Sequence, residues 1–218
     1  MERIVCLAIG YVCGLFQTAF IYGKAHGIDI REHGSGNAGT TNALRVLGKK
    51  AGLIVFLGDV FKTVIAMVVC RLIFKNSASQ MLPLLSLYAA AGAILGHNFP
   101  FYMNFKGGKG IAATAGLLLA FDWRFTIVGA VIFGVAFCAT NYVSLGSLLV
   151  YAGFMIELVV CGQLGIFQME TVLVYELYAV GVFLTIMAYV RHKENIKRLI
   201  KGEERKTYLH KKNKEEAK

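Results

Sequence analysis

Two glycine-rich stretches in this chain carry the residue types that hold anions. The first, GSGNAGTTNALR at residues 34–45, combines Gly34, Gly36 and Gly39 with the small polar side chains of Ser35, Asn37, Thr40, Thr41 and Asn42, and ends on Arg45. Glycines free backbone N–H groups to point at a bound group, hydroxyls add donors, and the start of a following helix adds a positive dipole end. Such a cradle suits phosphate, and Arg45, three residues past Asn42, could present a planar fork of donors to the same or a neighbouring phosphate. The second stretch, FKGGKG at residues 105–110, sets Gly107 and Gly108 between Lys106 and Lys109 just ahead of an apolar helix, again an arrangement for phosphate at a helix N-terminus. It lacks the GxxxxGK[ST] spacing of a nucleotide-hydrolysing loop. Either stretch alone also fits a flexible basic loop at a membrane edge; together they imply two phosphates, or one held from two sides.

Two further stretches carry polar groups. VSLGS offers Ser144 and Ser147 at a helix start, where capping of free N–H groups is the common role. In RHKEN, His192 and Asn195 are three apart and share a helix face. The segment that follows, IKRLIKGEERK, interleaves cations with Ile196, Leu199 and Ile200, as expected of a chain lying on anionic lipid headgroups. The histidines stand apart at positions 26, 33, 97, 192 and 210 with no helical pair and no cysteine partner, so no metal site is expected. Cys6, Cys13, Cys70, Cys138 and Cys161 lie in or beside apolar runs without CxxC spacing and read as small buried hydrophobes.

The elements that must position these loops are membrane helices. The chain has 218 residues, 56% of them hydrophobic, with a mean hydropathy of +0.59, too apolar for an ordinary soluble domain. Apolar runs at about 4–22, 52–74, 82–102, 111–121, 125–140, 146–164 and 172–190 predict an all-α polytopic membrane protein with seven transmembrane helices. The fourth run rises only about 16 Å as a helix, so it is short, tilted or re-entrant. Paired with the fifth run it returns the chain to the same face. The chain then divides into a membrane domain, residues 1–190, and a basic tail, residues 191–218, whose first part completes the site.

Charge sets the orientation. One set of connections carries Lys24, Arg31, Arg45, Lys49, Lys50, Lys106 and Lys109, and the tail from Arg191 onward adds most of the remaining cations; the opposite side has Arg3, Arg71, Lys75 and Arg124. The positive-inside rule puts the N-terminus outside and the C-terminus in the cytoplasm. All four polar stretches then share the cytoplasmic face. Asp59 and Lys62, at i, i+3 within the second span, read as a structural ion pair. A transporter or channel for phosphate-containing anions is the alternative from another class, but the chain shows no internal repeat and no other ionisable pair within a span.

In order, GSGNAGTTNALRVLG, GHNFPFYMNFKGGKG and VSLGS with RHKENIKRLIKGEE resemble the signatures of the bacterial acyl-phosphate-dependent glycerol-3-phosphate acyltransferases, the PlsY family, and the resemblance covers nearly the whole chain. It implies transfer of a fatty acyl group from acyl phosphate to the 1-hydroxyl of glycerol 3-phosphate, giving lysophosphatidic acid and phosphate, at the bacterial inner membrane and without a cofactor. Position by position it implies that Ser35, Gly36, Asn37, Thr41 and Lys109 hold the acyl-phosphate head. Arg45, Lys109, Ser147, His192 and Asn195 would orient glycerol 3-phosphate, with Gly107 and Gly108 letting the backbone approach it. Gly34 and Asn42 belong to the same cradle, and Glu204 closes the third signature. Ser35, Arg45, Lys109 and His192 stand as the catalytic set. The implied partners are the two substrates, the bilayer, anionic lipid headgroups at the tail and the enzyme that produces acyl phosphate, with no nucleic acid.

Two positions depart from the family pattern. Many members carry Gly-Ser-Ile-Pro where this chain has GLFQ at residues 14–17, and an arginine where it has Asn141. The chemistry itself is demanding, because two dianionic phosphates about 6 Å apart repel by roughly 11 kcal/mol at an effective dielectric near 20. Cations are therefore required, and Arg45, Lys109 and, if protonated, His192 are those placed to supply them. The His-to-Asp spacing of five common in other acyltransferases is absent, since Tyr102 follows His97 and Lys197 follows His192 at that distance. A substrate phosphate oxygen is therefore the expected proton acceptor, with His192 the rival.

Overall fold

The computed structural model describes residues 1–208, so the last ten residues of the predicted tail, His210 among them, lie outside the described residues. Ten α-helices follow one another: α1 (Glu2–Gly14), α2 (Thr18–Ala25), α3 (Thr40–Leu47), α4 (Lys49–Phe74), α5 (Leu82–Asn98), α6 (Ile111–Phe121), α7 (Trp123–Thr140), α8 (Val143–Gln163), α9 (Thr171–Arg191) and α10 (Lys193–Ile200). Six helical stretches are long and apolar enough to cross a membrane: Glu2–Ala25, Lys49–Phe74, Ser79–Met103, Trp123–Thr140, Val143–Gln163 and Thr171–Arg191. The eleven-residue α6 is the short apolar helix between them, matching the short run read from the sequence. The outward faces are apolar: Phe61 and Ile65 on α4, Val131 and Val135 on α7, and Ile186 and Val190 on α9 are all exposed, as they must be where lipid rather than water surrounds the bundle.

Small residues let the helices meet at backbone distance. On α1, a Cβ at Gly10 would stand 2.0 Å from the Ala89 carbonyl oxygen and one at Gly14 2.2 Å from that of Ala93. From α5, Gly92 and Gly96 press equally close to the carbonyls of Leu7 and Tyr11. Both helices thus use glycines four apart, the spacing that drives association in lipid, where apolar burial gives no advantage. Gly116 repeats the device between α6 and α4, its Cβ position lying 2.3 Å from the Val60 carbonyl.

The first span is broken at residues 15–17, between α1 and α2, and each carbonyl freed there finds a side-chain donor. Gln17 Nε2 donates to Gly14 at 3.2 Å and also reaches the carbonyls of Gly96 and His97. Tyr102 Oη donates to Leu15 at 2.6 Å, and Lys62 Nζ donates to Phe16 at 2.8 Å. Gln17 is completely buried. At this place, where the chain departs from Gly-Ser-Ile-Pro, the Gln17 amide is the donor that satisfies the carbonyls at the break. Lys62 also pairs with Asp59 at 2.8 Å, the i, i+3 ion pair expected from the sequence, and Thr18 Oγ1 donates to the same carboxylate.

At the far end of the bundle Arg3 makes a two-point ion pair with Glu176, at 2.5 and 2.7 Å, and Tyr88 Oη donates to the same carboxylate. This ties α1 to α5 and α9 away from the glycine loops. Replacing Gly10 by valine would force α1 off α5 and cost about 1–3 kcal/mol or more, as overpacking does. Thermal denaturation in detergent checks it: a Gly10→Val protein melting at the parental temperature would contradict the close approach. Gln17→Ala, which leaves the Gly14 and Gly96 carbonyls without a donor and takes one of two from that of His97, is expected to lower the melting temperature as well, by the few degrees that about 1–3 kcal/mol represents.

Candidate active site

Four helix N-termini converge at the end of the bundle where α5, α7 and α9 finish. The stretch at residues 34–39 leads into α3. Gly34 has φ +62° and no room for a side chain, since a Cβ would lie 2.4 Å from Asn42 Oδ1. Asn42 is buried and organises the loop: its Oδ1 accepts from the Ser35 N–H at 2.8 Å, and its Nδ2 donates to the carbonyls of Ile30 and His33. Its side chain is thus committed to the cradle's shape. The N–H of Gly36 is likewise spent on His33. What remains open is the set an anion needs: among the described residues, the N–H groups of Asn37, Ala38, Thr40 and Thr41 have no acceptor, and the side chains of Ser35, Asn37 and Thr41 make no hydrogen bond.

The second loop packs on the first, the Gly108 Cβ position standing 2.9 Å from the Ala38 carbonyl. Gly107 and Gly108 donate their N–H groups to Asn98 and His97 at 3.2 and 3.1 Å, and side chains there would meet His97 O at 2.0 Å and His97 Nε2 at 2.1 Å. The structure gives these glycines a role in seating the loop on the end of α5, with their N–H groups donating into the protein. Arg191 Nη2 clamps the loop from outside, donating to the carbonyls of Gly107 and Gly108 at 3.0 and 2.6 Å. Beneath it, the Lys62 ammonium, which has no lone pair, donates to His97 Nδ1 at 2.8 Å. The ion pair of the second span thus reaches the underside of the loop.

Lys109 is presented from this loop at the start of α6, and its ammonium donates to Asn195 Oδ1. Asn195 Nδ2 in turn donates to Glu204 Oε1 at 2.7 Å, Ser144 Oγ to the same oxygen at 3.0 Å, and Arg198 Nε to Oε2 at 2.8 Å. Glu204 is the anion that knits α8 to α10. Ser147 donates to its own helix, to Val143 O at 2.7 Å. Arg45 on α3 donates through Nη2 to Thr207 Oγ1 at 2.8 Å and to Arg205 O. Ser35, Arg45, Lys109, Ser147, His192, Asn195 and Glu204 are thereby brought to one end of the molecule.

The electrostatics are those of a pocket short of negative charge. Burial, followed by the neighbouring cations Arg198, Arg191 and Arg45, lowers the Lys109 ammonium to about 8, even with Glu204 opposing. Burial and the charge of Arg205 lower Arg45 in the same way. Burial brings His192 down to about 4, so its imidazole is neutral at pH 7 and adds no third cation to Arg45 and Lys109. Its Nδ1 lies 2.8 Å from the Ala188 carbonyl. A carbonyl only accepts, so Nδ1 carries the hydrogen and Nε2 keeps its lone pair.

Asn141, the second departure noted in the sequence, uses its backbone: it closes α7 at φ +60°, a left-handed conformation asparagine tolerates, and its carbonyl accepts from Thr207 N–H at 2.9 Å. His97, Arg191 and Thr207 were not legible as site residues; His97 and Arg191 stood inside motifs, but only the fold shows what they touch.

Residues 4–202 match the family model described as glycerol-3-phosphate acyltransferase. The glycerol-3-phosphate acyltransferase of Clostridioides difficile (strain 630) is 36% identical over 205 residues, covering 93% of this chain and 94% of that protein. That of Exiguobacterium sibiricum is 38% identical over 221 residues, covering 100% and 99%. A crystal structure of PlsY (YgiH), an integral membrane glycerol 3-phosphate acyltransferase in its glycerol 3-phosphate form, superposes with a TM-score of 0.81 at 28% identity over 95% of this chain and 96% of that one. Its lysophosphatidic acid form superposes with a TM-score of 0.79 at 27% identity, over 96% and 97%.

The His192 environment makes a direct prediction. Carbon-detected NMR of labelled histidine should show the His192 ring titrating with a midpoint near 4, neutral throughout the range above about pH 5; a midpoint near 6.5 would mean that the ring is hydrated. With six apolar spans, the ordered motifs and these matches together, the chain is a multi-pass membrane protein and belongs to the PlsY family of glycerol-3-phosphate acyltransferases.

Proposed function

We propose that this glycerol-3-phosphate acyltransferase takes its acyl group from acyl phosphate and delivers it to the 1-hydroxyl of glycerol 3-phosphate, with the site facing the cytoplasm of a bacterial inner membrane. The observation that carries the reading is the pairing of two cradles on one floor. Unpartnered N–H groups and hydroxyls before α3 and the Lys109 ammonium before α6 offer places for two anions side by side. Ser35, Gly36, Asn37, Thr41 and Lys109 take the acyl-phosphate head. Arg45, Lys109, Ser147, His192 and Asn195 orient glycerol 3-phosphate, Ser147 by turning its hydroxyl out of its own helix. Gly34, Asn42, Gly107, Gly108 and Glu204 hold the frame.

The hydroxyl oxygen of glycerol 3-phosphate attacks the acyl carbonyl carbon, the bond from that carbon to the phosphate oxygen breaks, and the hydroxyl proton passes to a phosphate oxygen. The products are lysophosphatidic acid and hydrogen phosphate. A neutral imidazole held down to about 4 is a weaker base than a phosphate monoester with a second pKa near 6, which favours the substrate-assisted route. His192 Nε2, as an acceptor, aligns the hydroxyl. No metal is called for in these steps, so activity is expected to survive chelation.

Orientation follows from charge. Most of the 23 Lys and Arg residues lie at the end that carries the site, which supports a cytoplasmic site and an external N-terminus. α6 and α7 form a there-and-back pair, which makes seven helices in the membrane domain, residues 1–190, and leaves residues 191–218 as the basic tail on anionic headgroups. That tail also offers a surface to the enzyme that supplies acyl phosphate.

Purified protein in a bilayer with acyl phosphate and glycerol 3-phosphate should release phosphate and form lysophosphatidate; product with acyl-CoA but none with acyl phosphate would overturn the donor. Arg45→Ala should cut kcat/KM at least a hundredfold in folded protein. His192→Gln should keep most of kcat and raise KM, whereas a loss of several orders in kcat would make His192 the base. Lys109 is charged below its pKa and neutral above it, so kcat/KM for glycerol 3-phosphate should fall above about pH 8, approaching tenfold per pH unit. Arginine at this position, Lys109→Arg, should move that alkaline limb upward if the variant is active.

A further inference from the structure

The segment after α10 turns back across the site and is tied down at three places. Glu204 accepts from Ser144, Asn195 and Arg198. Arg205 Nη1 donates to the Gly34 carbonyl at 3.4 Å. Thr207 is 1% exposed; its N–H donates to Asn141 O at 2.9 Å, and its Oγ1 accepts from Arg45 Nη2 at 2.8 Å. Thr207 thus links the end of α7 to the cation on α3. It stands beyond residues 4–202, the part that matches the family model, so neither the motifs nor the match assigns it a role.

We infer that Thr207 is a positioning residue for substrate phosphate: anchored through its own N–H, its hydroxyl fixes the orientation of the Arg45 guanidinium. Arg45 has five N–H donors. The bonds to Thr207 and Arg205 both use Nη2, leaving Nε and Nη1 without a protein acceptor among the described residues and free for phosphate. A guanidinium on a flexible stem that is already aimed loses less rotamer freedom on binding. Threonine suits the task because its hydroxyl accepts from arginine while keeping a hydrogen to donate to the incoming phosphate, and its β-branch restricts the rotamer. The same contact explains how a side chain outside every motif reaches the phosphate subsite. The inference rests on Arg45 as the residue that binds glycerol 3-phosphate.

The test compares the full-length variants Thr207→Val, which keeps the shape and removes the hydroxyl, and Thr207→Ser, which keeps the hydroxyl. Arg45→Ala is run beside them, with acyl phosphate saturating and glycerol 3-phosphate varied. Thr207→Val should raise KM for glycerol 3-phosphate about tenfold with kcat within twofold, and Thr207→Ser should stay within twofold of the parent in both. A parental KM in Thr207→Val, a loss confined to kcat, or Thr207→Ser as impaired as Thr207→Val would each overturn the inference. If the valine variant does not yield monodisperse protein, Thr207→Ala against Thr207→Ser decides by the same KM comparison. An inactive Arg45→Ala beside a parental Thr207→Val would refute the positioning role alone; a fully active Arg45→Ala would refute the phosphate role of Arg45.

Discussion

A broken helix inside a membrane protein exposes carbonyls that no water can reach, and this constraint organises the molecule. Each unsatisfied group would cost several kcal/mol in hydrocarbon. The break at residues 15–17 is made tolerable by Gln17, Tyr102 and Lys62. Lys62 needs Asp59 beside it to be buried as a cation, and its remaining reach goes to His97. One polar joint thus gathers the first span, α4 and α5 and ends directly under Gly108. The loop that presents Lys109 rests on that joint, so the geometry of the candidate site begins in the interior of the bundle.

Above the joint the logic reverses, and charge is left uncompensated. Glu204 neutralises part of the cationic cluster, yet Lys109 and Arg45 still sit among like charges and in partial burial, which depresses both. The free protein stores an electrostatic deficit that an anion removes. In the proposed reaction, arranging this in advance lets relief of repulsion among the protein's own cations drive the binding of two mutually repelling phosphates.

The span pattern and the polar motifs were legible because each leaves a local signature: apolar length for a helix in lipid, and glycines with hydroxyls and cations for an anion cradle. Even the short α6 was visible as an apolar run too brief to cross. The interior partners were not legible. Gln17 looked like a departure from a pattern until three carbonyls converged on it, and Asn141 looked like a missing cation, with nothing local to signal that its carbonyl takes the Thr207 N–H. Gly107 and Gly108 were read as letting the backbone approach a substrate, and nothing local in the sequence signals the space they also leave for His97. Thr207 carries no pattern at all. Such contacts join residues distant in the chain, and periodicity and local spacing do not register them.

The packing of α1 on α5 has a consequence for how the protein comes into being. The two helices that approach most closely through their glycines are separated in the chain by α2, α3 and α4. Made before α5, α1 must therefore reside in lipid with its glycine face unmatched until α5 has followed it. Its break is stabilised by Lys62 and Tyr102, which also arrive later, so the first span acquires its final shape only on assembly. A span made before its partners is thus among the last to become native, and it waits on the α5 end that seats the Lys109 loop.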